Sequence, residues 1–203
     1  GIYVFDAAFL ARTVAIDAAR PESGHDFAAD VLPRLIDSGR VFAHAFRAEN
    51  GSARAYWRDI GTLRAYWQAH MDLLGPAPLL RLDDPRWPIG RVALAPQILS
   101  PSTTTADGGT IEDSLISTRC TIAGHVLRSV LSDAVEVEPG ADVTESVVLP
   151  GAVIGANSRL RGVIVDTGYR VAEGIVIEQC AETGELPVLS THHGDATVCA
   201  PTH

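Results

Sequence analysis

Cysteine is scarce in this 203-residue chain, and so is positive charge. Its three cysteines, Cys120, Cys180 and Cys199, show no C-x-x-C spacing. That pattern suggests neither a disulfide framework nor a zinc knuckle, and a reducing cytoplasm is the expected compartment. Twenty-five acidic residues stand against 16 Lys and Arg, a formal net charge of −9. The average field repels nucleic acid and anionic membranes, so neither is expected as a partner. No uninterrupted apolar run reaches the ~18 residues of a membrane span, and no charged-then-apolar signal segment opens the chain. An initiator Met is missing as well. The chain starts directly on the β-favouring run Gly1-Ile2-Tyr3-Val4-Phe5, which is expected to be a strand cut from a larger protein.

What is present divides into two textures. In the first, Phe9, Leu10, Val14 and Ala18 recur at roughly helical spacing within Ala7 to Ala19, predicting a short helix. Ser23-Gly24-His25-Asp26 is a turn leading into Phe27, Val31, Leu32 and Ile36, with Asp26 placed to cap free backbone amides and Pro33 to kink or start a segment. Residues 41 to 47 alternate Val, Ala and Phe with His and Arg, a short strand before the turn Glu49-Asn50-Gly51-Ser52. The best helix opens after Gly61 with Thr62 as N-cap. Leu63, Tyr66, Trp67, His70, Met71 and Leu74 share one face before Gly75-Pro76-Ala77-Pro78 stops it. A connection rich in Pro, Ser and Thr then runs to Gly109.

Beyond Gly109 the helical period vanishes and a repeat takes over. Val137, Ile154 and Val171 lie 17 residues apart, as do Val143, Leu160 and Ile177. Within a coil the apolar positions fall every five or six residues, through Val137, Val143, Leu149, Ile154, Leu160 and Val171. Three flat faces of about six residues make one triangular turn of a hexapeptide-repeat solenoid, whose interior is a column of aliphatic side chains. Gly140, Gly151, Gly155 and Gly174 are placed at its corners. An ordinary β-sandwich is the rival reading, and the sustained step of 17 argues against it.

The residues of the first texture carry a family likeness. Tyr56-Trp57-Arg58-Asp59-Ile60-Gly61-Thr62, followed by Leu63, Ala65, Tyr66 and Trp67, resembles the W-R-D-[VI]-G-T-x-x-x-Y-W element of bacterial ADP-glucose pyrophosphorylases. His25-Asp26-Phe27 with Val31-Leu32-Pro33 is similar to that family's H-D-F-G stretch, with Ala28 in place of the usual glycine. Trp87-Pro88-Ile89 and Ser146-Val147-Val148-Leu149-Pro150 resemble its W-P-I linker and S-V-[LV]-[LM]-P coil, in the family's order.

The resemblance implies an α/β nucleotidyltransferase remnant followed by an all-β left-handed parallel β-helix. Its expected parts are the end of the transferase domain at 1–75, a linker at 76–109, the β-helix at 110–180 and a tail at 181–203. The implied reaction is attack of glucose 1-phosphate on the α-phosphorus of ATP, giving ADP-glucose for glycogen biosynthesis and pyrophosphate. The complete protein is then a homo-oligomer, as in a homotetramer. Crowded phosphates require a divalent cation, and hard Mg²⁺ takes one or two carboxylates. The resemblance makes Asp59 such a ligand and puts Gly1 and Asp26 beside glucose 1-phosphate. It also places the glycine-rich nucleotide loop, the sugar-phosphate lysine and a second aspartate upstream of Gly1, so the chain alone is expected to be inactive.

Plainer roles stand beside these. Asp59 is also a helix-capping carboxylate, Asp26 an N-cap, and Trp57 and Trp67 are packing aromatics. Gly108-Gly109-Thr110 is read as a turn. His125 lies where hexapeptide acyltransferases hold a catalytic histidine, although it lacks that site's partners. His192, His193, Cys199 and His203 show no standard zinc spacing. The family binds anionic effectors with arginines in its last coil and tail. Here Thr167 follows Asp166 and no arginine follows Arg170, so those contacts are not carried over. A non-catalytic assembly or regulatory β-helix, and a hexapeptide acyltransferase, are the alternative functions.

Overall fold

The computed structural model describes residues 2–36, 41–46, 55–82, 97–99, 103–178 and 186–190. The chain divides into two compact units, Gly1–Ala55 and Tyr56–His203. Each is described by itself.

In the first unit, helix α1 (Ala7–Ala18) starts at Asp6, whose Oδ1 accepts from Phe9 N at 2.8 Å. A π-helical turn (Phe27–Val31) runs directly into α2 (Leu32–Ile36). Pro33 therefore sits in the first turn of α2, where its missing N–H is tolerated. The expected apolar face of α1 is not its buried face. Phe9 and Val14 are exposed, and the helix's single buried residue is Asp17. Neither expected strand forms among the described residues. Ile2–Asp6 and Val41–Phe46 join no sheet, because a strand needs a ladder partner and this unit supplies none.

The second unit opens with α3 (Leu63–Met71), capped by Thr62 Oγ1, which accepts from Ala65 N at 3.1 Å. The helix ends three residues before Leu74. Leu73 N donates to His70 O and Leu74 N to Met71 O, so tighter turns replace the last helical bonds ahead of Gly75. Leu74 is buried with Leu115 and Val130, and Trp67 Nε1 donates to Glu145 O at 2.7 Å, which fixes α3 on the solenoid. Leu63, expected on the packed face, is exposed.

From Thr110 onward, short strands stack in parallel on three faces, making about four turns that match the left-handed hexapeptide-repeat β-helix. The repeat expected from spacing is the register observed. Ile154 pairs with Val137 on one side and Val171 on the other, and Leu160 with Val143 and Ile177. The first column continues upward from Val137 to Ile122 by a step of 15, and the second from Val143 to Val126 by 17 and on to Ile111 by 15. The third column is Ile116, Leu131, Val148, Val165 and Leu189. Val148 thus fills the place expected for Leu149, which lies half-buried outside the interior, one residue out of phase.

The corners use left-handed backbone more often than glycine. Asp113, Arg128, Glu145 and Gly162 occupy one such row, and Arg119, Ala134, Gly151 and Gly168 a second, all with φ between 44° and 69°. Gly140 and Gly174 occupy a third, with Asn157 between them. Gly155 is a glycine for a different reason. Its φ is not left-handed, but a Cβ there would come within 2.5 Å of Val171 O in the next coil. One corner also carries a ladder of buried serines. Ser114 Oγ, Ser129 Oγ and Ser146 Oγ accept from Ser129 N, Ser146 N and Val163 N at 3.0 to 3.2 Å. Each hydroxyl donates to a carbonyl two residues back, so the polar groups are satisfied inside the wall.

Candidate functional site

Asp59 is presented by the loop between Tyr56 and Thr62. Arg58 and Tyr56 both donate to Asp72 Oδ2 beyond the end of α3. Tyr56 Oη lies at 3.1 Å and Arg58 Nε at 3.0 Å, with Arg58 NH2 in a closer contact. Burial raises the Tyr56 phenol above its ordinary range, so it stays a neutral donor, while the bond to Asp72 raises the Arg58 guanidinium. This clamp holds the N-terminal side of a short loop, the Thr62 cap of α3 fixes the other side, and the tip lies in solvent. At the tip Asp59 is exposed, and its Oδ1 accepts from Gly61 N at 3.3 Å. Thr62, and not Asp59, caps α3, so the capping role considered for Asp59 falls to its neighbour. Asp59 Oδ2 has no partner among the described residues.

An exposed carboxylate with one free oxygen is the donor set Mg²⁺ takes when phosphates and water fill the remaining positions. No group of three or more His, Cys, Asp or Glu able to hold a metal ion exists among the described residues. Asp59 therefore fits as one ligand, with the others coming from substrate or from other sequence.

Asp26, in the first unit, is an N-cap as expected. Its Oδ1 accepts from Ala29 N at 2.6 Å, and its own N–H donates to Asp30 Oδ2 at 3.0 Å. Gly1 lies outside the described residues, as do Trp87-Pro88-Ile89, the turn at residues 49 to 52 and the C-terminal cluster His192, His193, Cys199 and His203.

The sequence reading missed the polar hub beside Asp26. Asp17 is 6% exposed and takes three side-chain contacts, from Ser23 Oγ at 2.9 Å, His25 Nδ1 at 3.0 Å and Arg34 NH1 at 2.8 Å. The bond to His25 does most to hold its carboxyl below the ordinary range. Burial opposes it, and Ser23 and the charges of His25 and Arg34 assist. His25 has φ 58°, a left-handed angle uncommon outside glycine, so the turn into Asp26 is held by this hub. The one carboxylate of α1, set between Ile16 and Ala18, was the available signal.

Trp57 is 59% exposed, whereas Trp67 packs and donates as described. Gly108-Gly109 is a turn, closed by Gly108 N to Thr105 O at 3.1 Å. His125 stands on an outer face of the solenoid in register between Thr110 and Asp142, with Nδ1 2.7 Å from Thr110 Oγ1. It borders a polar groove of about 370 Å³ that Arg159 also lines. Cys120 is half-buried with its thiol raised by burial, an unreactive setting.

Comparison with known proteins finds two families in succession along the chain. Residues 1–75 match the family described as Nucleotidyl transferase, and residues 100–186 that described as GlmU-like, C-terminal hexapeptide. A glucose-1-phosphate adenylyltransferase from Bradyrhizobium diazoefficiens is 37% identical over 210 residues, covering 99% of this chain and 49% of that protein. Relatives of the same name include one from Bacillus cytotoxicus, 37% identical over 94% of this chain and 48% of its own length. Another, from Methylobacillus flagellatus, is 42% identical over 87% and 43%. The chain spans about half the length of the curated relatives it matches. It is thus related over nearly its whole length to the glucose-1-phosphate adenylyltransferases, as a nucleotidyl transferase segment followed by a hexapeptide-repeat solenoid.

Proposed function

We propose that this chain is the C-terminal half of a glucose-1-phosphate adenylyltransferase, which makes ADP-glucose and pyrophosphate from ATP and glucose 1-phosphate for glycogen biosynthesis. The observation that carries the reading is similarity at 37% identity across 99% of the chain to relatives of that name. The geometry supports it through Asp59, a rigidly presented carboxylate with an oxygen to spare. In this role Asp59 holds Mg²⁺, Asp26 and Gly1 lie on the glucose 1-phosphate side, and the complete protein is a cytoplasmic homo-oligomer. Bound Mg²⁺ supplies charge neutralisation for the phosphates. What this chain's residues supply is position. Tyr56 and Arg58 tie the loop to Asp72, so the Asp59 carboxylate reaches the phosphates without a further loss of loop freedom.

The test is Asp59→Asn in the complete protein, read by ADP-glucose synthesis against Mg²⁺ concentration and by thermal melting. The amide keeps the shape and the Gly61 contact but removes the charge. Turnover is expected to fall by at least a hundredfold, roughly 2.7 kcal/mol in transition-state stabilisation, with the melting temperature within about 1 °C of wild type. Unchanged turnover and Mg²⁺ dependence would remove Asp59 from the site. The isolated 203-residue chain is expected to make no ADP-glucose, and activity from it would overturn the half-enzyme reading.

A further inference from the structure

Helix α1 buries one residue, and that residue is a carboxylate. Burying a carboxylate is costly unless hydrogen bonds compensate, and a well-packed apolar side chain in its place is often at least as stabilising. Stability alone therefore does not account for Asp17. Arg34 NH1 already ties α2 to α1 through it. The other two contacts fall on the residues that lead into Asp26. His25 Nδ1 lies 3.0 Å from Asp17 Oδ2, and since an ionised carboxylate only accepts, that nitrogen carries a proton. Ser23 Oγ donates to Asp17 Oδ1 at 2.9 Å and accepts from His25 N at 3.1 Å. Asp17 thus grips His25 by its ring directly and by its backbone through Ser23.

His25 is held at φ 58°, an angle that few residues other than glycine adopt. The next residue is Asp26. Its Oδ1 is committed to Ala29 N and its N–H to Asp30 Oδ2, while its Oδ2 takes no hydrogen bond among the described residues and the side chain is exposed. These bonds together fix the direction of one free carboxylate oxygen. We propose that Asp17, Ser23 and His25 are positioning residues for the glucosyl group of glucose 1-phosphate, holding the left-handed turn that aims the free oxygen of Asp26 at a sugar hydroxyl. The inference rests on the proposed function for the identity of the substrate. A carboxylate repels phosphate, so what it accepts from on such a ligand is a hydroxyl. The His25 and Arg34 side chains are 56% and 38% exposed, so removing Asp17 returns both to water and strands no buried charge. The main loss then falls on the turn, and through it on substrate position.

The experiment compares His25→Gly, His25→Asn and Asp17→Ala in the complete protein. Glycine keeps the positive φ and loses the ring. Asparagine tolerates the same φ and carries an N–H close to where Nδ1 stood. The KM for glucose 1-phosphate is expected to rise at least tenfold in His25→Gly and Asp17→Ala and to stay within about threefold of wild type in His25→Asn, with the KM for ATP unchanged in all three. A second readout needs no turnover. Amide exchange at Ala29, whose N–H is bonded to Asp26 Oδ1, should quicken at least tenfold in the Gly and Ala variants and stay near wild type in the Asn variant. Wild-type KM in His25→Gly would overturn the inference, since the backbone angle would then suffice without the hub. So would equal losses in His25→Gly and His25→Asn, or KM values for both substrates rising together with a lowered melting temperature, the mark of a staple between helices. Absence of ADP-glucose synthesis in wild type, with Ala29 exchange still following this order, would count against the proposed function and leave the hold of the hub on Asp26 standing.

Discussion

Two single residues show how local electrostatics and backbone angle act in this molecule. Asp133 accepts from Thr118 Oγ1 at 2.7 Å and pairs with Arg119, which, through that hydrogen bond foremost, lowers its carboxyl to about 2. Because the folded value lies below the ordinary ~3.9, the stabilisation is complete above about pH 4 and is lost as pH falls toward 2. Wild type should therefore melt above Asp133→Asn at pH 6, with the gap closing between about pH 4 and 2, as read from melting curves. The gap itself should be modest, since Arg119 is largely exposed and water screens the pair. A gap unchanged at pH 2 would contradict the assignment. Ala134 poses the opposite case. It holds φ 56° on the surface, an angle that costs an L-residue about 1–2 kcal/mol. Glycine removes that strain and returns roughly 0.5–1 kcal/mol of it as unfolded-chain entropy. Ala134→Gly should raise the melting temperature by about 3 °C, and a fall would show that the Ala134 methyl does more than its exposure implies.

At the scale of elements, the solenoid was legible and the helices were legible in part. A step of 17 in Val137, Ile154 and Val171 survives in sequence because each coil meets only its neighbours, so stacked positions must share one chemistry. The shorter step of 15 in the first coil and the Val148 phase were not readable. Val147, Val148 and Leu149 are equally apolar, and only the geometry of the corner selects which one points inward. The serine ladder was hidden for a related reason. A serine in a turn looks solvated until the coil above is in place. Asp59 and Asp26 were legible as residues through the family likeness, while the Tyr56, Arg58 and Asp72 clamp was not. Its partners lie 14 to 16 residues apart, and no sequence period connects them. The column itself is open to a direct test. Ile154 is completely buried, so Ile154→Asp places an unpaired carboxylate among aliphatic side chains, at a cost on the order of 4 kcal/mol. Loss of the cooperative melt, or of soluble protein, is expected, and a normal melt would deny that the position is interior.

For the whole molecule, the contrast between the two units explains which expectations failed. In the second unit the described coils pair with one another, and spacing predicted that register. The first unit was expected to hold two strands and an apolar helix face, and none of these forms as anticipated among the described residues. Strand propensity expresses itself only against a ladder partner, and no described residue of this unit offers one. The absence of lysine belongs to the same scale. All 16 Lys and Arg positions of the chain are arginine, so it offers an anionic ligand planar guanidinium contacts and no lysine ammonium.

The solenoid begins with strands that run the wrong way. Gln97–Leu99 lies antiparallel on Ser114–Ile116, and Thr103–Thr104 antiparallel on Thr110–Ile111. A stack of same-sense coils has polarity, and its bare end would template another copy in the manner of a growing fibre. Reversing the chain direction on two of the three faces caps that end with a hydrogen-bonding pattern that a following parallel coil does not match. Removing residues 97–104 should turn a discrete particle into one that elongates end to end, visible as fibrils by electron microscopy. The reversed strands thus act as a terminator, setting how far the stack can grow.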